Sequence, residues 1–390
     1  MLKKLMFCCG ILAGIFCTAQ TSMEKETLKL FLAGDVMTGR GIDQALPFSV
    51  GPILYEPYVK DARDYLLFAE QESGELDLPL SYRYIWGDAL KVWDQYNPDL
   101  KLINLETSIT TNDEPWPGKG IHYRMHPKNV KLFTVAGIDH ASLSNNHVLD
   151  WGREGMAETM RSLHDAKVAF SGVGKSEEEA AESSIFEVEK GRVLVYSYGS
   201  PGSGIPETWA AKNDRSGVNF LPAFTEQQVE EIQQNISATK KEGDIVVLSM
   251  HWGPNWGYDV PEAHRQFAHS LIDKAGVDLI FGHSSHHPMG IEVYNDKLIL
   301  YGAGDFINDY EGIGGHEKYR GELSLMYFPE LDPNSGDLVN LEMVPMEIKK
   351  LSLNKPSNKD AAWLREVLNR ESKKFGVGID LKNGILEADF

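Results

Sequence analysis

Cysteine is almost absent from this chain of 390 residues: Cys8, Cys9 and Cys17 are the whole complement, and all three lie ahead of residue 20. The remainder of the chain therefore has no disulfide, no thiolate zinc site and no cysteine nucleophile. Long apolar runs are scarce as well. The single candidate is 5–16, which follows Lys3 and Lys4 and precedes the small-residue end Cys17-Thr18-Ala19. It falls short of the roughly 20 residues that a bilayer span needs. A basic start, an apolar middle and a small-residue end read as a secretory signal over 1–19, cleaved after Ala19. An exported, periplasmic or extracellular protein is expected, not an integral membrane protein. Phe16 directly before Cys17 argues against a lipoprotein.

Positive charge is the next deficit. There are 38 Lys and Arg against 57 Asp and Glu, a formal charge of −19 that becomes −21 when Lys3 and Lys4 leave with the signal. Such a surface repels polyanions, and no Lys/Arg cluster supplies a local basic groove, so nucleic acid is excluded as a partner. No GxGxxG or GxxxxGK loop is present, which removes the common phosphate-cradling nucleotide sites. Internal repeats, heptads and low-complexity tracts are also missing.

What remains is an ordinary globular composition, 42% hydrophobic and 24% charged, long enough for one large domain or two. Short apolar runs alternate with helical stretches at roughly 30 to 40 residues per unit, the rhythm of a layered α/β fold. Strands are expected over 28–33, 99–104, 139–143, 168–171, 245–250 and 277–281, with a hairpin over 184–188 and 193–198. Helices are expected over 61–71, 153–167, 225–241, 261–275 and 358–374. After Pro288 the pattern turns to hairpins, with a closing strand over 385–390. The domain reading is a main domain over 28–328 carrying an inserted cap at 48–86, then an extension of hairpin and helix over 329–390. The loop 199–222 is too long for a mere connector and is a candidate gate.

The chemistry sits where the apolar runs end. SLSNNHVLDWG at 142–152 is the stretch around which the others are organised: a buried run enters a corner of two Asn, one His and one Asp, and a helix follows. FLAGD ends at Asp35, LINLE at Glu106, VVLSMHWG at His251, and LIFGHSSHH at His283, His286 and His287. Open α/β sheets collect their sites at such carboxyl edges. Five corners bearing Asp, Glu, Asn or His suit a hydrolytic centre of divalent metal. Carboxylate and amide oxygens take hard cations, and imidazoles take zinc, iron or manganese. Such an ion polarises a phosphoryl or acyl oxygen and lowers the pKa of bound water. His147 is positioned to protonate a leaving group, with Asp150 orienting it and raising its pKa. Arg40 is a candidate for an anionic oxygen, and Arg124, Trp209 and Arg215 complete the expected substrate contacts. Blander readings stand beside these: Asp35 as a turn or cap residue, and His264, His269 and His316 as core or surface histidines.

GDVMTGRG, INLETSIT, LSNNHVLDWG, MHWGPNW, GHSSHHPMGIEVY and LYGAGDF, in this order and spacing, resemble the bacterial capsule synthesis protein CapA family, also called the poly-γ-glutamate capsule biosynthesis family. The resemblance covers 28–309. It implies an α/β sandwich with mixed β-sheets, the calcineurin-like metallophosphoesterase fold. It also implies that Asp35, Glu106, Asn146, His251, His283 and His286 hold one or two divalent ions, Mn, Zn, Fe and Mg not being distinguished, with His147 catalytic. The chain departs from the superfamily pattern in three ways. Met37 stands where the first motif has His, Glu106 replaces the bridging Asp, and GHSSH replaces GHHPH. The missing imidazole makes a mononuclear site a live alternative. Two functions fit: an exported metal-dependent hydrolase acting on a phosphoester or a cell-envelope or capsular polymer, or a non-catalytic polymer-binding component of capsule synthesis or export.

The signal assignment is checked by mass spectrometry of protein recovered from the envelope. The expected mature N-terminus is Gln20; an intact Met1 would refute cleavage, and an acylated Cys17 would make the protein a lipoprotein.

Overall fold

The computed structural model describes residues 26–390. The signal segment and its three cysteines lie outside the described residues.

Two large sheets carry the fold. One has ten strands, with the order Gly378–Lys382, Ile385–Asp389, Leu338–Lys349, Leu323–Leu331, Leu28–Val36, Leu100–Leu105, His140–Ser142, Ala169–Ser171 along its main path. The other has six: Ile291–Tyr294, Lys297–Leu300, Leu279–His283, Asp244–His251, Gly191–Gly199, Ser184–Val188. Both are mixed. Leu28–Val36 runs parallel to Leu100–Leu105 and antiparallel to Leu323–Leu331.

Side-chain alternation explains why the sheets stack. Leu28, Leu30, Leu32, Leu100 and Leu102 of the first sheet meet Val193, Val195, Ile245, Val247, Leu279 and Phe281 of the second in one buried core. Their neighbours point the other way. Phe31, Ala33, Ile103 and Ala141 enter a core under the helices of the first sheet's outer face, and Leu194, Val246, Leu248 and Ile280 enter one under the helices of the second. Each central strand is covered on both faces, so it reads in the sequence as a nearly continuous apolar run. The result is a four-layer α/β/β/α sandwich.

The helices are amphipathic pieces placed by local signals. Glu226–Thr239 starts after Thr225, whose hydroxyl accepts from the Gln228 N–H at 3.4 Å, and buries Val229, Ile232 and Ile236 on one stripe. Asn358–Ser372 is capped in the same way by Ser357 and buries Leu364, Val367 and Leu368. The helix expected over 261–275 is α over Glu262–Ser270 and then a π turn over Leu271–Ala275.

Two expectations about organisation change. The extension over 329–390, expected to pack on the main domain, continues its sheet: Leu338–Lys349 pairs along Leu323–Leu331, and Leu341, Met343, Leu364 and Leu368 belong to the inter-sheet core, so the boundary at 328 falls inside a strand. The loop 199–222 is pinned. Ser203 Oγ donates to the carbonyls of Ser200 and His251, Gly217–Val218 pairs with Val173–Gly174, and Arg153 donates to the carbonyls of Ser216 and Thr208. These bonds make it a fixed wall. The cap segment packs Leu54, Val59, Ala62 and Tyr65 into a small core of its own.

Leu102 is 1% exposed between the sheets. Leu102→Ala is expected to lower unfolding stability by about 2 to 5 kcal/mol in a denaturant titration, whereas truncating the exposed Leu67 should change it by less than about 0.5 kcal/mol.

Candidate metal centre

The strand ends converge at the carboxyl edge where the two sheets meet. Asp35 closes the first strand, and its Oδ1 accepts from Asn104 Nδ2 at 2.7 Å. Glu106 follows the neighbouring strand, with its N–H on the Val36 carbonyl at 3.1 Å. Asn145 makes the central corner rigid. Its Nδ2 donates to Asn104 Oδ1 at 3.1 Å and to the Leu105 carbonyl at 2.8 Å, and its Oδ1 accepts the His147 N–H at 3.0 Å. This turn brings both Asn146 and His147 to the centre, on different partners. Asn146 Oδ1 comes to 3.1 Å from His251 Nε2, while His147 Nε2 lies 4.0 Å from Glu106 Oε1.

The second sheet supplies the imidazoles. His251 and His283 are register partners on parallel strands, and their Nδ1 atoms are 2.7 Å apart. His283 Nε2 is bonded to Ser249 Oγ at 2.7 Å, and Ser142 Oγ of the first sheet donates to Ser249 Oγ at 2.6 Å. A polar seam through the inter-sheet space thus fixes which nitrogen of His283 faces Asp35. His286 Nδ1 meets Asp305 Oδ1 at 2.7 Å.

Asp305 is the residue that sequence reasoning missed. It reaches the site because the strand Asp305–Ile307 pairs in parallel with the first strand, Asp35 opposite Asp305. The pairing depends on a close backbone approach: the Asp35 N–H bonds the Gly304 carbonyl at 3.0 Å, and a Cβ at Gly34 would sit 1.8 Å from that oxygen. Only glycine fits there. The signal was a Gly-Asp pair shortly after an apolar run, as at Gly34-Asp35. Met37, which stands in place of a motif histidine, is buried and accepts the Gly39 N–H on its sulfur at 3.3 Å.

Two groups of donor atoms, each with all members within 4.8 Å of one another, result: Asp35, His251 and His283, and Asp35, Glu106, His286 and Asp305. They share Asp35. Five of the six residues expected as ligands are in these groups, and the sixth, Asn146, borders the first of them through its contact with His251. The electrostatics fit a cation. Burial and the charge of Asp305 push Asp35 up to about 7, and burial and Asp35 hold Glu106 well above the usual carboxylate range. Asp35 Oδ2 and Glu106 Oε2 are buried without a hydrogen-bond partner. Burial keeps His251 and His283 neutral, the latter down to about 3, which is the state an imidazole ligand needs. For His286 burial acts the other way from its neighbours, but Asp305, Glu106 and Asp35 outweigh it and lift it to about 10.

His147 holds Asp150 through Nδ1 at 2.7 Å to Oδ2, and its ring lies flat on Tyr123 with centroids 3.9 Å apart. Lys119, also unanticipated, donates to Asp150 Oδ1 and to the Ile121 carbonyl and lies 3.0 Å from His147 Nδ1. Asp150 thus bonds the ring through Nδ1. The expected rise of the imidazole pKa is not found: burial, then the Lys119 ammonium, push it well below its ordinary value.

The four residues expected to meet substrate do other work. Arg40 is buried and bonded to Asp309, to Glu56 at 2.8 Å and to Tyr65 at 2.7 Å. Arg124 caps the Asn112 carbonyl at 2.6 Å and lies 3.8 Å over the Trp151 ring. Trp209 is 0% exposed and packs edge-on to Trp116, so its ring belongs to the core. Arg215 reaches the Ala210 carbonyl within its own loop.

A layered α/β sandwich with mixed sheets, carrying this set of carboxylates and imidazoles at its strand ends, is a protein of the metallophosphoesterase-like class. The chain belongs to the bacterial capsule synthesis protein family PGA_cap, whose model matches residues 29–310. It is 43% identical over 356 residues to a probable polyglutamine synthesis accessory protein of Mycobacterium tuberculosis, covering 91% of this chain and 93% of that one. It is 28% identical to the PGA biosynthesis protein CapA of Bacillus subtilis over 70% of this chain and 67% of that one. Against the capsule biosynthesis protein CapA of Bacillus anthracis the identity is 23%, over 73% and 61%.

Removing the seam at Ser249 tests how the centre is held. Ser249→Ala is expected to weaken metal binding about 10- to 100-fold in a titration calorimeter, with the fold intact by circular dichroism. Metal uptake by the wild-type protein should release protons, because His286 and Asp35 must give theirs up to bind. Affinity should fall as the pH is lowered from about 8 to about 6, and a flat response would show that neither is a ligand.

Proposed function

We propose that this chain is an exported metal-dependent hydrolase of the phosphoesterase type, acting on a phosphoester or on a cell-envelope or capsular polymer such as poly-γ-glutamate. The observation that carries this reading is the pair of buried donor groups sharing Asp35, with His147 beside them. Most buried polar atoms are paired, yet Asp35 and Glu106, side by side in this cluster, each keep one carboxylate oxygen without a hydrogen-bond partner, which supports a cation there.

A divalent ion bound there would supply Lewis acidity toward the substrate oxygen and a water of lowered pKa. The chain's own residues do the rest. His251 and His283, neutral through burial, and Asp35 with Asn146 serve one side; Glu106, His286 and Asp305 serve the other. His147 stands 4.0 Å from Glu106 through Nε2, which gives a proton to the leaving oxygen only from the imidazolium form; burial and Lys119 disfavour that form, so the proton must be taken up before it is passed on. Its other nitrogen is committed to Asp150, which keeps the ring from turning. Tyr123, stacked on the opposite face, prevents tilting. Among the described residues no helix is long and apolar enough to cross a membrane.

A second reading has support of its own. The Mycobacterium tuberculosis relative is described as a synthesis accessory protein, and Met37 takes the place of a motif imidazole. In this reading the pocket binds polymer without cleaving it.

One experiment separates the two. Purified protein is loaded with Mn, Zn, Fe or Mg, its metal content measured, and its turnover of bis-p-nitrophenyl phosphate followed for wild type and His147→Ala. The hydrolase reading expects stoichiometric metal in both and turnover lower by about 10² or more in the variant. Loss of metal in the variant would make His147 a ligand. Wild-type protein with neither bound metal nor turnover would support the polymer-binding component.

A further inference from the structure

Two tyrosines join the opposite flanks of the centre. Tyr123 lies on His147, and Tyr310 stands edge-on to His286 with ring centroids 5.8 Å apart. Their hydroxyl oxygens are 2.8 Å from each other. A pair of phenols has two protons, and one hydrogen bond between them uses only one. Among the described residues the other O–H has no hydrogen-bond partner, with Tyr123 4% exposed and Tyr310 half-buried. A phenol proton without a protein partner is free to go to water or to a ligand oxygen.

The surroundings say what kind. Phenols are protonated at neutral pH, and burial, with Glu106 acting on Tyr123 and with Tyr123, Asp305 and Glu106 acting on Tyr310, holds both above their ordinary range, so they remain donors. The Arg40 guanidinium lies 4.8 Å from the Tyr123 ring centroid and 5.5 Å from that of Tyr310, but its own N–H groups go to Asp309, Glu56 and Tyr65. Arg124 is tied to backbone carbonyls. An anionic oxygen arriving at the Tyr123–Tyr310 flank therefore finds both neighbouring guanidiniums already paired and a phenol proton that is not. Tyr310 also lines a cavity of ≈ 600 Å³ with Asn308 and Trp256, and Asn308 Nδ2 bonds Asp305 at 2.8 Å, so Tyr310 and Asn308 stand between that cavity and the acidic side of the centre.

We propose that the Tyr123–Tyr310 hydroxyl pair is a substrate-binding element, donating its spare proton to a phosphoryl or acyl oxygen of the substrate beside the metal centre. Arg40 is a positioning residue behind it: its charge polarises both rings and its bonds to Asp309 and Glu56 fix where they stand. This rests on the hydrolase reading above.

Inorganic phosphate is the probe. Its binding to manganese-loaded protein is measured by calorimetry for wild type, Tyr123→Phe, Tyr310→Phe and the double variant, with metal content and KM and kcat alongside. Each single change is expected to weaken phosphate binding about tenfold or more, the loss of one hydrogen bond to a charged group, with metal content unchanged. The double variant should be no more than about twofold weaker than either single, because the two hydroxyls act as a unit. Phosphate affinity and KM within about twofold of wild type in Tyr310→Phe would overturn the proposal. So would loss of metal in that variant, which would make the pair a scaffold. Wild-type protein that binds no phosphate would overturn the pair and the phosphoesterase reading together, whereas wild-type binding and turnover with unaffected variants sinks the pair alone.

Discussion

Buried carboxylates repel one another and lose hydration, a cost of several kcal/mol per ion unless opposite charge is close. Asp35, Glu106 and Asp305 are all buried at one point, and His286 is the single imidazole that their field keeps protonated. Most of the nearby structure can be understood as holding this unfavourable arrangement in place. Asn104 bonds one oxygen of Asp35, Asn145 ties Asn104 to the central corner, and Asn308 bonds Asp305. Two carboxylate oxygens are still left over. A divalent cation is the group whose charge and ligand preference match what remains.

The two sheets divide the work. The first sheet delivers oxygen donors from its parallel strands, and the second delivers imidazoles from His251 and His283. Their inner faces are leucine, valine and isoleucine along most of the length, with serines near the site end. Ser142, Ser171, Ser197 and Ser249 form hydrogen bonds there that bridge from one sheet to the other. Close-packed sheets hold rotamers within narrow limits, and the serine seam adds direction to that rigidity. A site on such elements is positioned more tightly than one on loops, and the 199–222 loop follows the same pattern by being pinned to the His251 strand end.

Charge narrows the ligand. The chain is strongly acidic, yet its family is described by capsule synthesis, and its Bacillus subtilis relative by PGA biosynthesis. An extended polyanion gains little from such a surface as a whole. The cations nearest the centre, Arg40 and Lys119, are each paired with protein carboxylates. Under the proposed function, recognition of an anionic group would fall on the centre itself and on neutral donors such as the tyrosine pair, and so on a single group held at one point more than on a long charged stretch.

Much of this was legible in the residues. Strand ends are readable because a strand covered on both faces must be a continuous apolar run, and the first polar residue after it marks the sheet's edge; Asp35, Glu106, His251 and His283 were found in this way. Their order along the chain also carried the family. Asp305 was not legible, because its strand is only three residues long and its place beside Asp35 depends on the glycine contact between Gly34 and Gly304, which joins segments some 270 residues apart. Lys119, Tyr123 and Tyr310 come from irregular segments with no periodicity to mark them. Arg40 and Trp209 misled for the opposite reason. A guanidinium or an indole next to a motif looks like a substrate contact until packing shows what already occupies it. Residue type and local pattern determined the layers, the family and the donor chemistry. Which donors come within reach of a common point, which cations are already paired, and that two tyrosine hydroxyls meet between the flanks were decided only by tertiary structure, because those are distances between residues far apart in the chain.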